Sequence, residues 1–259
     1  MGHIRLGLLP HTRQWRDVAA LIADSGGDAA AVARSIAQAA EQRLTQVEGD
    51  AGISYLYWAL TRLTWHARGN DFREGLAREG ISFGADANGI RLLSQIGQAV
   101  AEEARRRGEN SAVTELAVRA FRETLNKAVA SRSETLFGTT QETVQGAFRD
   151  VSTPKAFGKL AREFFTGVYG GILQFVASKE TSQHVGPGMR FENSDAASSF
   201  ERELRTYAHE SSRIVEDFAG EWYSKHNWQR DLDQAQSQRF VAYAMTKLRA
   251  ELARERQQP

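Results

Sequence analysis

Apolar residues recur through most of the chain at intervals of three and four, the spacing that places them on one face of an α-helix. The segment from Ile53 to about His66 shows this, with Leu56, Leu60 and Leu63 continuing the stripe. No segment has the strict alternation of apolar and polar residues that is typical of a half-buried strand. The pattern therefore predicts an all-α, multi-helix bundle of about ten helices.

Two long helical stretches dominate the second half of the sequence. One runs from about Thr153 to Lys179 and the other from about Ser194 to Tyr223. Between them lies Gly186-Pro187-Gly188, the only glycine–proline–glycine sequence in the chain. Glycine and proline interrupt helices, and a short connection makes two helices antiparallel neighbours. We therefore expect a long central antiparallel helical hairpin.

The first of these stretches is the best candidate for the central core helix. Thr153 precedes Pro154, a helix cap followed by proline at the first helical position, where its missing N–H costs nothing. The apolar stripe of this stretch contains Phe157, Leu160, Phe164, Val168, Ile172 and Phe175. The second stretch has a matching stripe of Phe200, Leu204, Tyr207, Ile214, Phe218 and Trp222.

The helical pattern is interrupted near residues 131–138, which contain Ser131, Ser133 and Gly138. This interruption predicts an N-terminal helical subdomain, residues 1–131, and a C-terminal helical-hairpin subdomain, residues 132–259. A chain of 259 residues is also short enough to form a single domain, so that alternative stays open.

The charge balance does not favour a protein whose main task is to bind nucleic acid. The chain has 33 basic and 32 acidic side chains, a formal net charge of +1. Proteins that neutralise many phosphates usually have a basic excess or a basic face. Nucleic acid is left open as a partner, but the charge does not indicate it.

The residue types exclude several kinds of site. The chain has no cysteine, which removes disulfides, thiolate nucleophiles and Cys-ligated metals. Its six histidines are scattered, so we expect no metal site and no cofactor. Gly80-Ile81-Ser82-Phe83-Gly84 matches the nucleophile elbow of hydrolases, but a helical pattern precedes it where that elbow needs a strand.

The longest uncharged run, from Phe164 to Ser178, has fewer residues than the ~20 that a membrane-spanning helix needs. The first residues also lack the apolar core of a signal peptide. The sequence therefore predicts a cytoplasmic protein without a membrane partner.

Arg202 and His209 form an R-x6-H spacing on the second long helical stretch. This arrangement resembles the R-x4–6-H signature of HEPN ribonucleases. The resemblance covers one helix and implies metal-independent RNA cleavage, in which Arg202 would stabilise phosphate charge and His209 would act in acid–base catalysis. Glu203 departs from the residue that often follows the arginine in that family.

Two segments that we expect to be exposed are rich in aromatic and basic residues. One contains His184, Arg190 and Phe191, and the other contains Trp222, Tyr223, His226 and Trp228. Tryptophan, tyrosine and arginine dominate binding energy at protein interfaces. These residues are therefore candidates for partner binding, although packing at helix ends would also explain Trp222 and Phe191.

These observations favour a non-enzymatic all-helical subunit or adaptor of a bacterial cytoplasmic multiprotein assembly. Other protein subunits are the expected partners, and a homo-oligomer is compatible with the sequence. The alternative is a HEPN-like metal-independent ribonuclease in a toxin or antiphage defence module.

Overall fold

The computed structural model describes residues 13–23, 29–39, 47–84, 88–130, 140–229 and 232–254. These ranges contain helices and no strand, which confirms the all-α prediction. In chain order the α-helices are α1 (Arg13–Ala23), α2 (Ala29–Ala39), α3 (Ala51–His66), α4 (Phe72–Arg78), α5 (Gly89–Arg107), α6 (Ala112–Ala130), α7 (Gln141–Asp150), α8 (Pro154–Thr181), α9 (Ser194–Ser211), α10 (Arg213–Gln229) and α11 (Gln234–Arg254). A short 3₁₀ helix, Ser182–His184, follows α8.

Helix α8 is the central helix of the bundle, as its apolar stripe predicts. It begins at Pro154 after the Thr153 cap, and its side chains pack mainly against α6, α9 and α10. Phe175 of the predicted stripe is partly buried. Its other five residues are buried: Phe157, Leu160, Phe164, Val168 and Ile172. None of the helices in the described ranges combines the length and apolarity that a bilayer crossing requires.

An aromatic cluster around Tyr57 joins α3 to the second half of the chain. The Tyr57 ring stacks on Phe240 of α11, with 4.8 Å between ring centroids, and also contacts Phe165 of α8 and Trp222 of α10. Aromatic pairs of this kind add stabilisation to that of the buried area itself. The cluster therefore holds together helices that are distant in sequence.

Glycines allow the helices around α8 to approach closely. A Cβ on Gly158 would lie 2.3 Å from the carbonyl oxygen of Glu216 on α10, and one on Gly167 would lie 2.7 Å from Ala120 Cβ on α6. On α10, a Cβ on Gly220 would lie 2.8 Å from the Pro154 carbonyl oxygen. Only glycine fits at contacts this short, so these residues fix the separation of the three helices.

The expectation of one uninterrupted second helix from about Ser194 to Tyr223 is wrong, whereas the antiparallel hairpin itself stays a prediction. The chain forms α9 and α10 with a break at Ser212. The guanidinium of Arg162 on α8 donates two hydrogen bonds, of 3.1 and 3.0 Å, to the carbonyl oxygen of His209. In a continuous helix that oxygen would accept from the N–H of Arg213. Arg162 thus stabilises a helix end that the apolar pattern does not reveal.

The predicted boundary near residue 131 lies outside the described residues. Helices from both sides of it pack into one hydrophobic cluster, with α6 against α8 and α3 against α11. The division into residues 1–131 and 132–259 stays a prediction, and the described helices of the two parts share a core.

We predict that Tyr57→Phe leaves the free energy of unfolding unchanged or raises it by up to about 1 kcal/mol. The buried Tyr57 hydroxyl has no hydrogen-bond partner among the described residues, so burial removes it from water without compensation. Burial also raises the pKa of Tyr57 well above its ordinary value, which keeps the hydroxyl neutral. Denaturant unfolding measures the difference.

The matched control is Tyr223→Phe. The Tyr223 hydroxyl is also buried, but it shares a 3.0 Å hydrogen bond with the Thr64 hydroxyl. Its removal should lower the free energy of unfolding by about 1 kcal/mol. Equal losses of unfolding free energy in the two variants would contradict the conclusion that the buried Tyr57 hydroxyl has no compensating hydrogen bond.

Candidate functional site

Arg202 and His209 both lie on α9 but have different partners. Arg202 is exposed, and its guanidinium donates to Ser199 Oγ at 2.7 Å. The His209 ring is half-buried, with Nδ1 3.6 Å from Glu163 Oε1 and 3.4 Å from Thr166 Oγ1, both on α8. The structure therefore places a carboxylate beside the histidine and leaves the arginine at the surface, two helical turns away.

A groove of about 370 Å³ lies between α6, α8 and α9, with Thr166 in its lining. Its charged residues are largely paired, since Glu123 accepts from Arg205 at 2.6 Å and from Arg119 at 3.1 Å. Burial alone would raise the pKa of Glu123, but the hydrogen bonds from Arg205 and Arg119 outweigh burial and lower it. Thr166 connects the groove to His209, whereas Arg202 does not line it.

Two residues of the first aromatic segment, Arg190 and Phe191, pack against the rest of the fold. Phe191 is buried, and the Arg190 guanidinium lies 5.3 Å from the Phe191 ring and 5.0 Å from the Phe200 ring. Arg190 also donates to the carbonyl oxygens of Leu21 and Ile22 at the end of α1. Phe191 packs against Phe200 of α9, as the alternative of packing at a helix end implies, so its expected exposure is wrong and its role in partner binding stays a prediction.

His184 is half-buried at the base of the same loop. Its carbonyl oxygen accepts a 3.0 Å hydrogen bond from the Phe191 N–H, and the Gly186 N–H donates to the Phe191 carbonyl oxygen at 2.8 Å. These bonds close the loop, and residues 187–189 form its exposed tip. Met189, with 52% exposure, is the large apolar residue at that tip.

The second aromatic segment is mostly internal, and the prediction of exposure is wrong for two of its residues. Tyr223 and His226 are buried on the inner side of α10, and Trp222 packs against Phe240 with 4.8 Å between ring centroids. Helical periodicity is the reason, because residues three and four apart share a face. Trp228 falls on the opposite side of α10 and is 89% exposed.

Trp228 borders a surface groove that we call the Trp228 groove. Its volume is about 590 Å³, and its lining residues are Trp65, Arg68, Pro154, Ser224, Asn227 and Trp228. The groove lies where the end of α3, the start of α8 and the last turns of α10 meet. Two tryptophans and an arginine therefore converge on one concave surface.

Arg68 is held in place by contacts on its inner side. Its Nη2 donates to the Ser152 carbonyl oxygen and lies 3.4 Å from the Tyr223 hydroxyl. The guanidinium carbon is 5.5 Å from the Trp65 ring and 5.5 Å from the Tyr223 ring. Such cation–π contacts and a fixed donor leave little rotational freedom to the side chain. The groove is thus preformed along this edge.

Sequence reasoning missed Trp65 and Arg68. They are three residues apart at the end of α3, a spacing that places them on one side of the helix and is visible in the sequence. The apolar stripe of α3 identifies only its buried face, and nothing in the sequence shows that the start of α8 and the last turns of α10 lie beside Trp65 and Arg68. Only the tertiary structure shows that these three helices meet at one surface.

A second polar cluster, formed by Arg62, His66 and Glu79, links α3 to the end of α4. The Glu79 carboxylate accepts from the Arg62 guanidinium on both oxygens and from His66 Nε2 at 2.8 Å. A Cβ on Gly75 would lie 2.2 Å from His66 Nδ1, so glycine makes room for the ring. These hydrogen bonds join α3 to the end of α4. Within the described ranges, no group of three or more metal-ligating side chains could hold a metal ion.

Comparison with known proteins gives no relative for this chain, since no family model, no curated protein and no solved structure matches it.

We predict that Glu79→Gln lowers the free energy of unfolding by about 2 kcal/mol at neutral pH, because it leaves the half-buried Arg62 without its carboxylate. Burial alone would raise the pKa of Glu79, but hydrogen bonds from His66 and Arg62 together lower it from its ordinary value of 4.5. The carboxylate therefore stabilises the fold above that ordinary pKa.

This stabilisation is lost as the pH falls through the lowered folded-state pKa of Glu79. The stability difference between wild type and Glu79→Gln should shrink in that acidic range, measured by denaturant unfolding at several pH values. Glu192→Gln, at an exposed carboxylate, serves as the control and should change little. A stability difference between wild type and Glu79→Gln that does not change with pH would contradict the stabilising role of the ionised Glu79 carboxylate.

Proposed function

We propose that the protein is a non-enzymatic helical subunit or adaptor that binds another protein through the Trp228 groove. The observation that carries this proposal is the 89% exposure of Trp228 at the mouth of a groove that also contains Trp65 and Arg68. Tryptophan and arginine are the residues most enriched among those that dominate binding energy at protein interfaces. The setting we propose is a cytoplasmic assembly in a bacterial cell.

The contrast with the other aromatic residues supports this proposal. Trp58, Tyr223 and Phe191 are all buried in the core. Trp228 instead leaves a large apolar side chain in water, although complete burial of such a side chain is worth about 2–3 kcal/mol. A partner that covers Trp228 would recover that free energy on binding.

We predict that Trp228→Ala removes the partner without unfolding the chain. Affinity capture of the tagged full chain from its native host, followed by quantitative mass spectrometry, should show the specific partner reduced about tenfold or more. The melting temperature should stay close to that of wild type, because an exposed side chain contributes little to folding.

Ile90→Ala is the matched control, since Ile90 is 68% exposed on α5 and does not line the Trp228 groove. This variant should retain the partner. Recovery of the wild-type chain without any partner would contradict the proposal. Recovery of the same partner proteins with Trp228→Ala as with wild type would contradict it too.

One observation favours a HEPN-like metal-independent ribonuclease as the second candidate function. His209 lies beside Glu163, and Lys127 pairs with the other oxygen of the same carboxylate. A carboxylate next to a histidine can orient its ring for acid–base catalysis. Arg202 on the same helix would then contact the phosphate.

For this candidate we predict that His209→Ala and Arg202→Ala each reduce RNA cleavage in the presence of EDTA by about a hundredfold or more. Degradation of a labelled single-stranded RNA by the purified chain measures the rate. Arg213→Ala, at an exposed arginine on α10, should cleave like wild type. Absence of cleavage by the wild type, or equal cleavage by all variants, would remove this function.

A further inference from the structure

The lining of the Trp228 groove contains hydrogen-bond donors that have no acceptor in the fold. The indole N–H groups of Trp65 and Trp228 donate to no group of the described residues. Arg68 uses its Nη2 for the Ser152 carbonyl oxygen and the Tyr223 hydroxyl. Its Nε and Nη1 have no acceptor in the described part of the chain. An occupant that supplies acceptors would pair with these N–H groups, which the fold leaves to water.

The same lining offers few side-chain acceptors. It contains no carboxylate. Its one side-chain amide oxygen, Asn227 Oδ1, is buried and therefore out of reach of an approaching molecule. Ser224 is the other lining residue with a side-chain oxygen, and its hydroxyl can donate as well as accept. The groove thus favours an occupant that accepts hydrogen bonds and donates few.

The two indole rings of the lining form separate apolar surfaces. Neither ring contacts another aromatic ring of the described residues, so Trp65 and Trp228 do not contact each other. The Trp65 ring has the Arg68 guanidinium 5.5 Å from its centroid, whereas Trp228 is 89% exposed. Pro154 is exposed and adds a third apolar ring to the lining. An occupant with compact apolar groups at separate positions would cover these surfaces.

The charges around the groove do not select an ionic occupant. Arg68 is the one charged residue of the lining. Asp71 lines the adjoining pocket, and Glu221 shares a face of α10 with the exposed indole. Lys155 and Lys225 follow lining residues in sequence and add positive charge. Charges of both signs therefore surround the groove, and an uncharged segment is repelled by neither.

We propose that the occupant of the Trp228 groove is an uncharged, proline-rich segment of another protein in the polyproline II conformation, with proline rings against Trp65 and Trp228. This conformation forms no internal hydrogen bonds, and proline has no N–H, so such a segment offers carbonyl acceptors and few donors. Its repeat of three residues places prolines at i and i+3 on one side. The proposal rests on the protein-binding function proposed above and specifies its partner.

Donors and acceptors match in this arrangement. The indole N–H groups and the remaining N–H groups of Arg68 would donate to main-chain carbonyl oxygens of the segment, while the indole faces cover its proline rings. Proteins recognise proline-rich segments in aromatic-lined grooves, because the polyproline II helix is already formed before binding. Such a segment therefore loses little conformational entropy when it binds.

Other modes of peptide recognition fit the groove less well. A helical segment pairs most of its carbonyl oxygens internally and needs apolar anchors along about two turns of a groove. Here the apolar lining consists of two indoles and Pro154. Strand addition needs the edge of a sheet, and the described residues form no strand. Acidic or phosphorylated motifs bind to clusters of arginines, and this lining contains one arginine.

The test is a display selection of random peptides of about 12 residues, or about four turns of polyproline II, on the full chain, followed by affinity measurement. We expect the enriched peptides to contain prolines three residues apart. Replacement of these prolines by alanine should weaken binding about tenfold or more. Trp228→Ala should have an effect of the same size. Added salt should change wild-type binding by less than about twofold, because the proposed contacts include no ion pair.

Trp228→Phe separates the contribution of the ring from that of its N–H group. This variant keeps an aromatic surface but removes the donor, and it should weaken binding of the enriched peptides about threefold to tenfold. Ile90→Ala, at an exposed apolar residue outside the groove, is the control and should bind like wild type. Binding by Trp228→Phe as tight as by wild type would overturn the proposed pairing of donors and acceptors.

Each other outcome is decisive. Enriched peptides that need Trp228 but contain no proline, or whose binding falls steeply with salt, would overturn the proline-rich partner and leave the protein-binding function intact. Absence of enrichment, together with capture from the native host of a partner that needs Trp228, would have the same meaning. Absence of both enrichment and such a partner would overturn the two proposals together, as would peptide and partner binding that Trp228→Ala leaves unchanged.

Discussion

The structure depends on the close approach of helices to α8. Gly158 and Gly167 let α10 and α6 contact the backbone of α8, and Gly220 brings α10 onto its first turn. Where the helix backbones come this close, the core atoms are packed against neighbours on every side. This close packing increases the dispersion attraction between the helices. A side chain at any of these positions would force the helices apart. The same close helix contacts therefore stabilise the bundle and set the positions of its surface residues.

The surface features follow from that packing. With α10 pressed against the start of α8, the last turns of α10 lie beside the end of α3, and the side chains there enclose a groove. At the other end of α10, the Arg162 guanidinium donates two hydrogen bonds to the His209 carbonyl oxygen in the last turn of α9. The helices α9 and α10 pack on successive sections of α8, with Ala208 beside Gly170 and Glu216 beside Gly158.

Much of the fold was predictable because helical periodicity is a local property. The stripe from Phe157 to Ile172 identified the central helix, and Thr153 with Pro154 marked its first residue. The apolar pattern does not show the break at Ser212, where the Ser212 hydroxyl donates to the Ala208 carbonyl oxygen and a guanidinium 47 residues away in sequence donates to the His209 carbonyl oxygen. Among the candidate binding residues, local composition singled out Trp228 together with Tyr223, and only the helix orientation separates the exposed ring from the buried one.

The stacking of Tyr57 on Phe240 has a consequence for how the chain folds. The two rings belong to helices near opposite ends of the sequence. During synthesis, α5, α8 and α10 can cover parts of the apolar face of α3, but the part that stacks on Phe240 stays uncovered until α11 has been made. Contacts between such remote segments slow folding and leave hydrophobic surface open to aggregation. The Tyr57 side of α3 is therefore part of the hydrophobic surface that stays open until α11 docks.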